Sequence, residues 1–260
     1  MRIPFFWIDA FTARAFAGNP AGVCPLDEWL PDDMLQEIAK ENNLSETAYF
    51  VPRGDGFDLR WFTPEMEVDL CGHGTLASGK VVLDELRKEA SSVHFHSRSG
   101  PLAVERKGDL LELDFPNQPG EPIEAPEGMA SALGASPIEV LRSVNYDLAV
   151  FETQDQVAAL EPNETLLLEQ EALGLIATAP GDRVDFVSRF FAPKAGVFED
   201  PVTGSAHCVS TPYWAERLGK QRLIAHQISK RGGELRCTLR GERVDIAGHA
   251  VLYMRGDILV

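Results

Sequence analysis

Basic charge is scarce in this 260-residue chain: 24 Lys and Arg stand against 40 Asp and Glu, a formal net charge of −16. Binding a phosphate backbone needs a basic face whose counterions can be released, and no Lys/Arg cluster of that kind occurs, so nucleic acid is excluded as a partner. Long apolar runs are also missing. None approaches the ~20 residues of a membrane span. The opening "MRIPFFWIDAF" is shorter in its apolar part than the ~7–15 residues of a signal-peptide core. The four cysteines, Cys24, Cys71, Cys208 and Cys237, form no C-x-x-C pair, which argues against a disulfide framework or a zinc site. The expectation is a cytoplasmic, reduced protein without a membrane partner. "GHGTLASG" has neither the GxGxxG spacing nor the GK[ST] ending of nucleotide-binding loops, so no organic cofactor is expected. His94 and His96 alternate on one strand, a spacing that binds metal when a third ligand is near. None is evident in sequence, and no metal site is assigned.

What is present is a packed composition, 44% hydrophobic and 25% charged, and an internal repeat. "RSGPLAVERKGDLLELDF" (residues 98–115) lies over "RGGELRCTLRGERVDIAG" (231–248) without a gap. Both alternate apolar and polar residues around a glycine turn, the pattern of a hairpin with one buried face. Upstream, "FDLRWFTP" (57–64) matches "VDFVSRFFAP" (184–193), "NLSETA" (43–48) matches "GLIATA" (174–179), and "CGHGT" (71–75) falls opposite "TGSAH" (203–207). Two similar α+β halves follow, residues 1–117 and 118–249, joined by the proline-rich "PNQPGEPIEAPEG". The last segment, 250–260, has no counterpart, and its pairing with the first half is left open.

"PDDMLQEIAKENN" (31–43) reads as a helix, with Asp32 and Asp33 at its start and Met34, Leu35, Ile38 and Ala39 on one stripe. "GTLASGKVVLDELRK" (74–88) reads as a buried central helix with Leu76, Val82, Leu83 and Leu86 inward. In its counterpart, "AHCVSTPYWAERLG", Pro212 is expected to end or kink the first turns.

A glycine turn entering a buried helix leaves backbone N–H groups without intrahelical partners, at the end where the helix dipole favours an anion. Two such turns, with Gly72 and Gly204, suit a small molecule carrying a carboxylate. Glycine there lets the ligand approach the backbone, although tight helix packing accounts for a glycine equally well.

"FTARAFAGNPAGV", "NLSETAYFV", "CGHGTLA" and "EDPVTGSAHC" together resemble the PhzF family of phenazine-biosynthesis-like isomerases, nearly from end to end. The resemblance implies a diaminopimelate epimerase-like fold: two pseudo-symmetric halves, each a curved, mostly antiparallel sheet or barrel around a central helix. It implies Glu46, His73, Asp200 and Ser205 as catalytic residues, a single glutamate moving a proton within a small cyclic carboxylic acid, no cofactor, and a homodimer. Gly74 stands where the family often carries alanine, a change expected to be tolerated.

The residues themselves bear on the chemistry. A two-thiol racemase needs a cysteine from each glycine turn, but Cys71 is matched by Thr203, whose hydroxyl is too weak an acid. Cys71 then reads as a small buried apolar residue. Glu46 is matched by Ala177, so the carboxylate has no symmetry mate, which suits removal and return of a proton by one group. Burial beside Leu44 and Tyr49 is expected to raise the Glu46 pKa. His73 and Asp200 are candidates to bind substrate or pass protons, Ser205 to donate to a carboxylate or cap its helix. Asn19, Gly72, Gly74 and Gly204 are candidate substrate-binding positions. The alternatives are a non-catalytic binding protein on the same fold and, less favoured, an amino-acid racemase.

Overall fold

The two glycine-turn repeats become strands in the computed structural model, which describes residues 1–260, and the chain divides into two units. The first comprises Met1–Asp114 and Ala247–Val260, the second Phe115–Ile246. In chain order the elements are β1 (Arg2–Ala10), β2 (Asn19–Pro25), α1 (Asp32–Asn42), β3 (Glu46–Arg53), β4 (Gly56–Phe62), β5 (Glu67–Val68), α2 (Gly72–Val81), β6 (Ser92–Ser97), β7 (Gly100–Lys107) and β8 (Leu110–Pro116). They continue with β9 (Glu121–Ile123), α3 (Met129–Leu133), β10 (Glu139–Arg142), β11 (Tyr146–Val150), α4 (Gln154–Ala158), α5 (Glu164–Glu169), β12 (Gly174–Pro180) and β13 (Phe186–Ala192). The chain ends through β14 (Val197–Asp200), α6 (Gly204–Leu218), β15 (Arg222–Gln227), β16 (Gly233–Arg240), β17 (Arg243–Gly248) and β18 (Ala250–Leu259).

The same strand pattern is built twice. In the first unit β18, β1 and β2 are antiparallel neighbours, β2 and β3 parallel, β3 and β4 antiparallel, β4 and β6 parallel, β6 and β7 antiparallel. In the second unit β9, β10 and β11 are antiparallel neighbours, β11 and β12 parallel, β12 and β13 antiparallel, β13 and β15 parallel, β15 and β16 antiparallel. A short strand pairs outside this series in each unit, β5 on β4 and β14 on β13. Side chains repeat as well. Arg60 on β4 forms a two-pronged ion pair with Glu67 on β5, at 2.7 and 2.8 Å, and lies over the Phe62 ring. Arg189 on β13 does the same with Glu199 on β14, at 2.7 and 3.1 Å, over Phe191.

Each sheet is covered on two faces. In the first unit α2 touches β1, β2, β3, β7 and β18, while α1 seals the other face through Leu35, Ile38 and Ala39 against Phe5, Tyr49 and Phe62. In the second, Ala206 and Val209 of α6 pack on Leu148, Ile176 and Phe190. Residues of the opposite phase, Leu175, Ala177 and Ala179 among them, meet Met129, Val157 and Leu167 from α3, α4 and α5. Two neighbouring residues of one strand thus belong to different cores, as a period of two demands.

Two helix expectations are corrected. After Val81 the chain continues as a π-helical turn, Val82–Leu86, closed by Arg87 N–H donating to Val82 O at 2.7 Å. The wider i→i+5 turn rotates Leu86 off the buried stripe, and it is 48% exposed. Of the two effects expected of Pro212, ending the helix does not occur, since α6 runs on to Leu218. Its ring removes the donor for the carbonyl of Cys208. That carbonyl accepts from the Gln118 N–H at 3.0 Å instead, so this acceptor is not left unmatched.

Candidate active site

Parallel strands place their N-terminal ends side by side, and the pair β2 and β3 begins with Asn19 and Glu46, Ala21 lying opposite Glu46. Residues 11–18 leading to Asn19 are held in an uncommon path. Phe11, Phe16 and Gly18 have φ of 60, 70 and 67°, a left-handed conformation that bulky residues adopt only where their surroundings impose it. Phe16 N–H donates to Asp9 Oδ2 at 2.9 Å. A Cβ on Gly18 would lie 2.1 Å from Ala10 O, so only glycine fits there. Asn19 is fully buried as a result.

The third component is the start of α2. Cys71 is its N-cap, with Sγ accepting from Gly74 N–H at 3.3 Å. His73, the second residue of the helix, is buried. Its Nε2 lies 2.8 Å from Glu46 Oε2, its Nδ1 3.1 Å from Asn19 Nδ2 and 3.5 Å from Cys71 Sγ. The Glu46 side chain keeps 15% exposure, while Oε2 itself is buried and accepts no straight hydrogen bond. Its 2.8 Å approach to His73 is therefore an ion contact bent away from the ring N–H direction. One ligand atom each from Glu46, Cys71 and His73 lies within 4.8 Å of the others.

Burial works against a charged His73 ring, yet the acidic neighbours Cys71 and Glu46 hold its pKa well above the ordinary value. The Cys71 thiol is itself pushed up to about 11, by burial first and by the Glu46 charge second. The nearest carboxylate to the ring is Glu46, 2.8 Å from Nε2. With Nδ2 of Asn19 facing Nδ1, a neutral ring would carry its proton on Nε2. A doubly protonated ring requires the Asn19 amide to turn its oxygen inward, a choice set by the network.

Several sequence readings change. Leu44 and Tyr49 do not flank Glu46; Tyr49 lies on the opposite face of β3 and both pack in the core under α1. Cys71 is not simply apolar filling, since it caps α2 and touches His73. The Gly74 N–H points to Cys71 Sγ rather than into open space. A Cβ at 74 would meet Trp61 Cδ1 at 2.8 Å and Cys71 Sγ at 2.9 Å, so alanine here displaces one of them. Trp61 Nε1, beside Gly74, is buried without a hydrogen-bond partner.

In the second unit Thr203 is the N-cap of α6, Gly204 its first residue and Ser205 its second. Thr203 Oγ1 donates to Asp200 Oδ2. Gln227 holds the turn by accepting from Thr203 N–H at 2.8 Å and donating to Asp200 O at 2.7 Å. Ser205 Oγ is 3.1 Å from the hydroxyl of Tyr146, the first residue of β11, which sequence reasoning missed. His207 donates from Nδ1 to Thr203 O at 2.7 Å, as Thr75 Oγ1 donates to Cys71 O in the other unit. This confirms Thr203 as the counterpart of Cys71.

The counterpart of Glu46 is different from the one the sequence pairs with it. Trp61 lies opposite Ala48, and Phe190, its equivalent beside the second Arg–Glu pair, lies opposite Ile176. Counting back two residues puts Gly174, not Ala177, at the place of Glu46. Ala177 faces the α3–α5 layer, whereas Glu46 faces α2. No carboxylate stands at either position.

The family model described as phenazine biosynthesis-like protein, PhzC-PhzF, matches residues 8–256. The chain belongs to the PhzC-PhzF family. An uncharacterised isomerase of Pseudomonas aeruginosa is 51% identical over 258 residues, 99% of each chain. A crystal structure of a PhzF family protein from Enterococcus faecalis superimposes with TM-score 0.97 at 44% identity, covering both chains fully. A hydroxyproline epimerase from Agrobacterium vitis shares the fold alone, with TM-score 0.63 at 10% identity over 99% of this chain and 92% of that one. PhzC-PhzF membership, the epimerase-like α+β fold and the isomerase class are those the motifs imply. No helix is long and apolar enough to cross a membrane.

Proposed function

We propose that this PhzC-PhzF protein is a cofactor-independent isomerase in which Glu46 moves a proton within a small cyclic carboxylic acid. The observation that supports it most is the unmatched carboxylate: Glu46 contacts the buried His73 ring at 2.8 Å, while Gly174 and Thr203 occupy the places where a second acid would have to stand. Glu46 takes a proton from one carbon as the electron pair moves into the conjugated system. The same carboxyl group then returns that proton to another carbon of the same face. His73, charged and fixed by Asn19, stabilises the carboxylate that starts and ends the cycle. Backbone N–H groups of Gly72 and His73 at the start of α2 favour the substrate carboxylate. Ser205, with Gly204 and Tyr146, offers polar groups at the start of α6, and Asp200 is held beside them by Thr203. The reading includes a cytoplasmic homodimer, which light scattering tests: the mass of one 28.6 kDa chain removes the dimer.

The test is isotopic. A cyclic amino or hydroxy acid found to turn over, dihydro-hydroxyanthranilate being the first to try, is labelled with deuterium at the donor carbon and converted in ordinary water. A single carboxyl group carries part of the label to the acceptor carbon. Turnover and label transfer that persist undiminished in Glu46→Gln remove the one-base mechanism.

A further inference from the structure

We propose that Glu46, Cys71 and His73 form a binding site for a thiophilic divalent cation, with Zn²⁺ as the reference ion, and that occupancy blocks turnover. The blocking rests on the proposed role of Glu46; the binding does not. The sequence carries no metal-ligand spacing, because Glu46 lies 25 positions before Cys71. Folding supplies the third ligand by bringing the first residue of β3 to the first turn of α2.

The donor set is one sulfur, one imidazole nitrogen and one carboxylate oxygen, within 4.8 Å of each other. Zinc bonds of ~2.0–2.1 Å to N and O and ~2.3 Å to S, at tetrahedral angles, separate N from O by about 3.3 Å and N from S by about 3.5 Å. In the structure Nε2 is 2.8 Å from Glu46 Oε2 and 4.0 Å from Cys71 Sγ. The first opens and the second closes by about half an ångström, and the third, from the carboxylate oxygen to Sγ, lies within 4.8 Å and closes to about 3.5 Å by side-chain rotation. The buried Oε2, which accepts no straight hydrogen bond, gains a partner. The Gly74 N–H at 3.3 Å from Sγ, at a helix N-terminus, favours a thiolate. Asn19 can accept from Nδ1–H and orient the ring, the supporting contact that ligating histidines ordinarily have.

The mix of thiolate and imidazole selects Zn²⁺ or Co²⁺ over Mg²⁺ and Ca²⁺, which take oxygen ligands. Binding forms bonds to sulfur, nitrogen and oxygen and releases to water the thiol proton and any proton carried by Nε2. No electron is transferred. Three protein ligands leave one position for water, and the metal then holds the lone pairs that Glu46 needs for proton transfer.

Titration of the metal-free protein with Co²⁺ tests this directly. Wild type is expected to show a thiolate-to-cobalt charge-transfer band in the near ultraviolet at one equivalent, removed by competing Zn²⁺. Cys71→Ser keeps a helix-capping oxygen and loses the band; Cys24→Ala retains it. His73→Gln and Glu46→Gln bind at least tenfold more weakly, and Asn19→Ala about 10–100-fold more weakly, with circular dichroism confirming that each variant is folded. No band in wild type, or a band that survives Cys71→Ser, overturns the site. A band without Zn²⁺ inhibition overturns the blocking and, with it, the role of Glu46, while leaving the metal site standing.

Discussion

Replacing Gly74 with alanine tests whether the start of α2 is as tightly packed as the structure shows. Within a helix, Gly→Ala ordinarily stabilises by about 0.8–1.0 kcal/mol. Here the new methyl group would lie 2.8 Å from Trp61 Cδ1 and 2.9 Å from Cys71 Sγ. Trp61 is among the largest fully buried side chains and cannot swing away. Sγ can move only by lengthening its bond from residue 74 and changing its distance to His73. Overpacking of this kind costs about 1–3 kcal/mol, so the expected net effect is a loss of about 0–2 kcal/mol. With a fall of about 2–4 °C per kcal/mol for a chain of this size, the variant should melt a few degrees lower. Thermal unfolding followed by near-ultraviolet circular dichroism reads both the midpoint and the Trp61 environment. An increase in stability of the full ~1 kcal/mol, with an unchanged tryptophan signal, would refute the packing argument.

Two histidines give the stability opposite pH dependences. His73 has a raised folded pKa, so the stability it draws from Glu46 is fully present below its unfolded value of about 6.5 and is lost as pH rises through the raised value; urea unfolding should show Glu46→Gln most destabilising near pH 6 and least at alkaline pH. His207 is lowered to about 4 by burial, so the wild type loses stability as pH falls from about 6.5 to about 4, and His207→Gln should flatten that acid limb in the same assay. Arg60→Met leaves Glu67 without its two-pronged partner and should cost about 1–3 kcal/mol in urea unfolding; a change within ~0.5 kcal/mol would mean that the pair is solvated in solution.

The duplication was readable because hairpins, proline-ended strands and glycine turns each leave a local pattern. The matched pieces around Gly108 and Gly241, and the strands ending at Pro64 and Pro193, all lie where the repeat puts them. The phase of one strand was not readable. "GLIATA" is apolar on both faces because both are covered, so alternation carries no information about which face is which. Only the pairing of Ile176 with Phe190 shows that Gly174 replaces Glu46. Leu86 was misplaced because a π turn obeys a different period from an α-helix. The link of Cys71 and Tyr146 to the polar groups around them depends on separate elements meeting, Cys71 with Glu46 and Tyr146 with Ser205, and no spacing along the chain encodes that.

Isotope incorporation tests most directly whether Glu46 is the proton-transferring group. Wild type and Glu46→Gln, both shown to be folded, are incubated in D2O with a panel of cyclic amino and hydroxy acids and followed by NMR. Wild type is expected to incorporate deuterium at a ring or α carbon of at least one acid, and Glu46→Gln to do so about 10²–10⁴-fold more slowly. Equal labelling by the two proteins would contradict it.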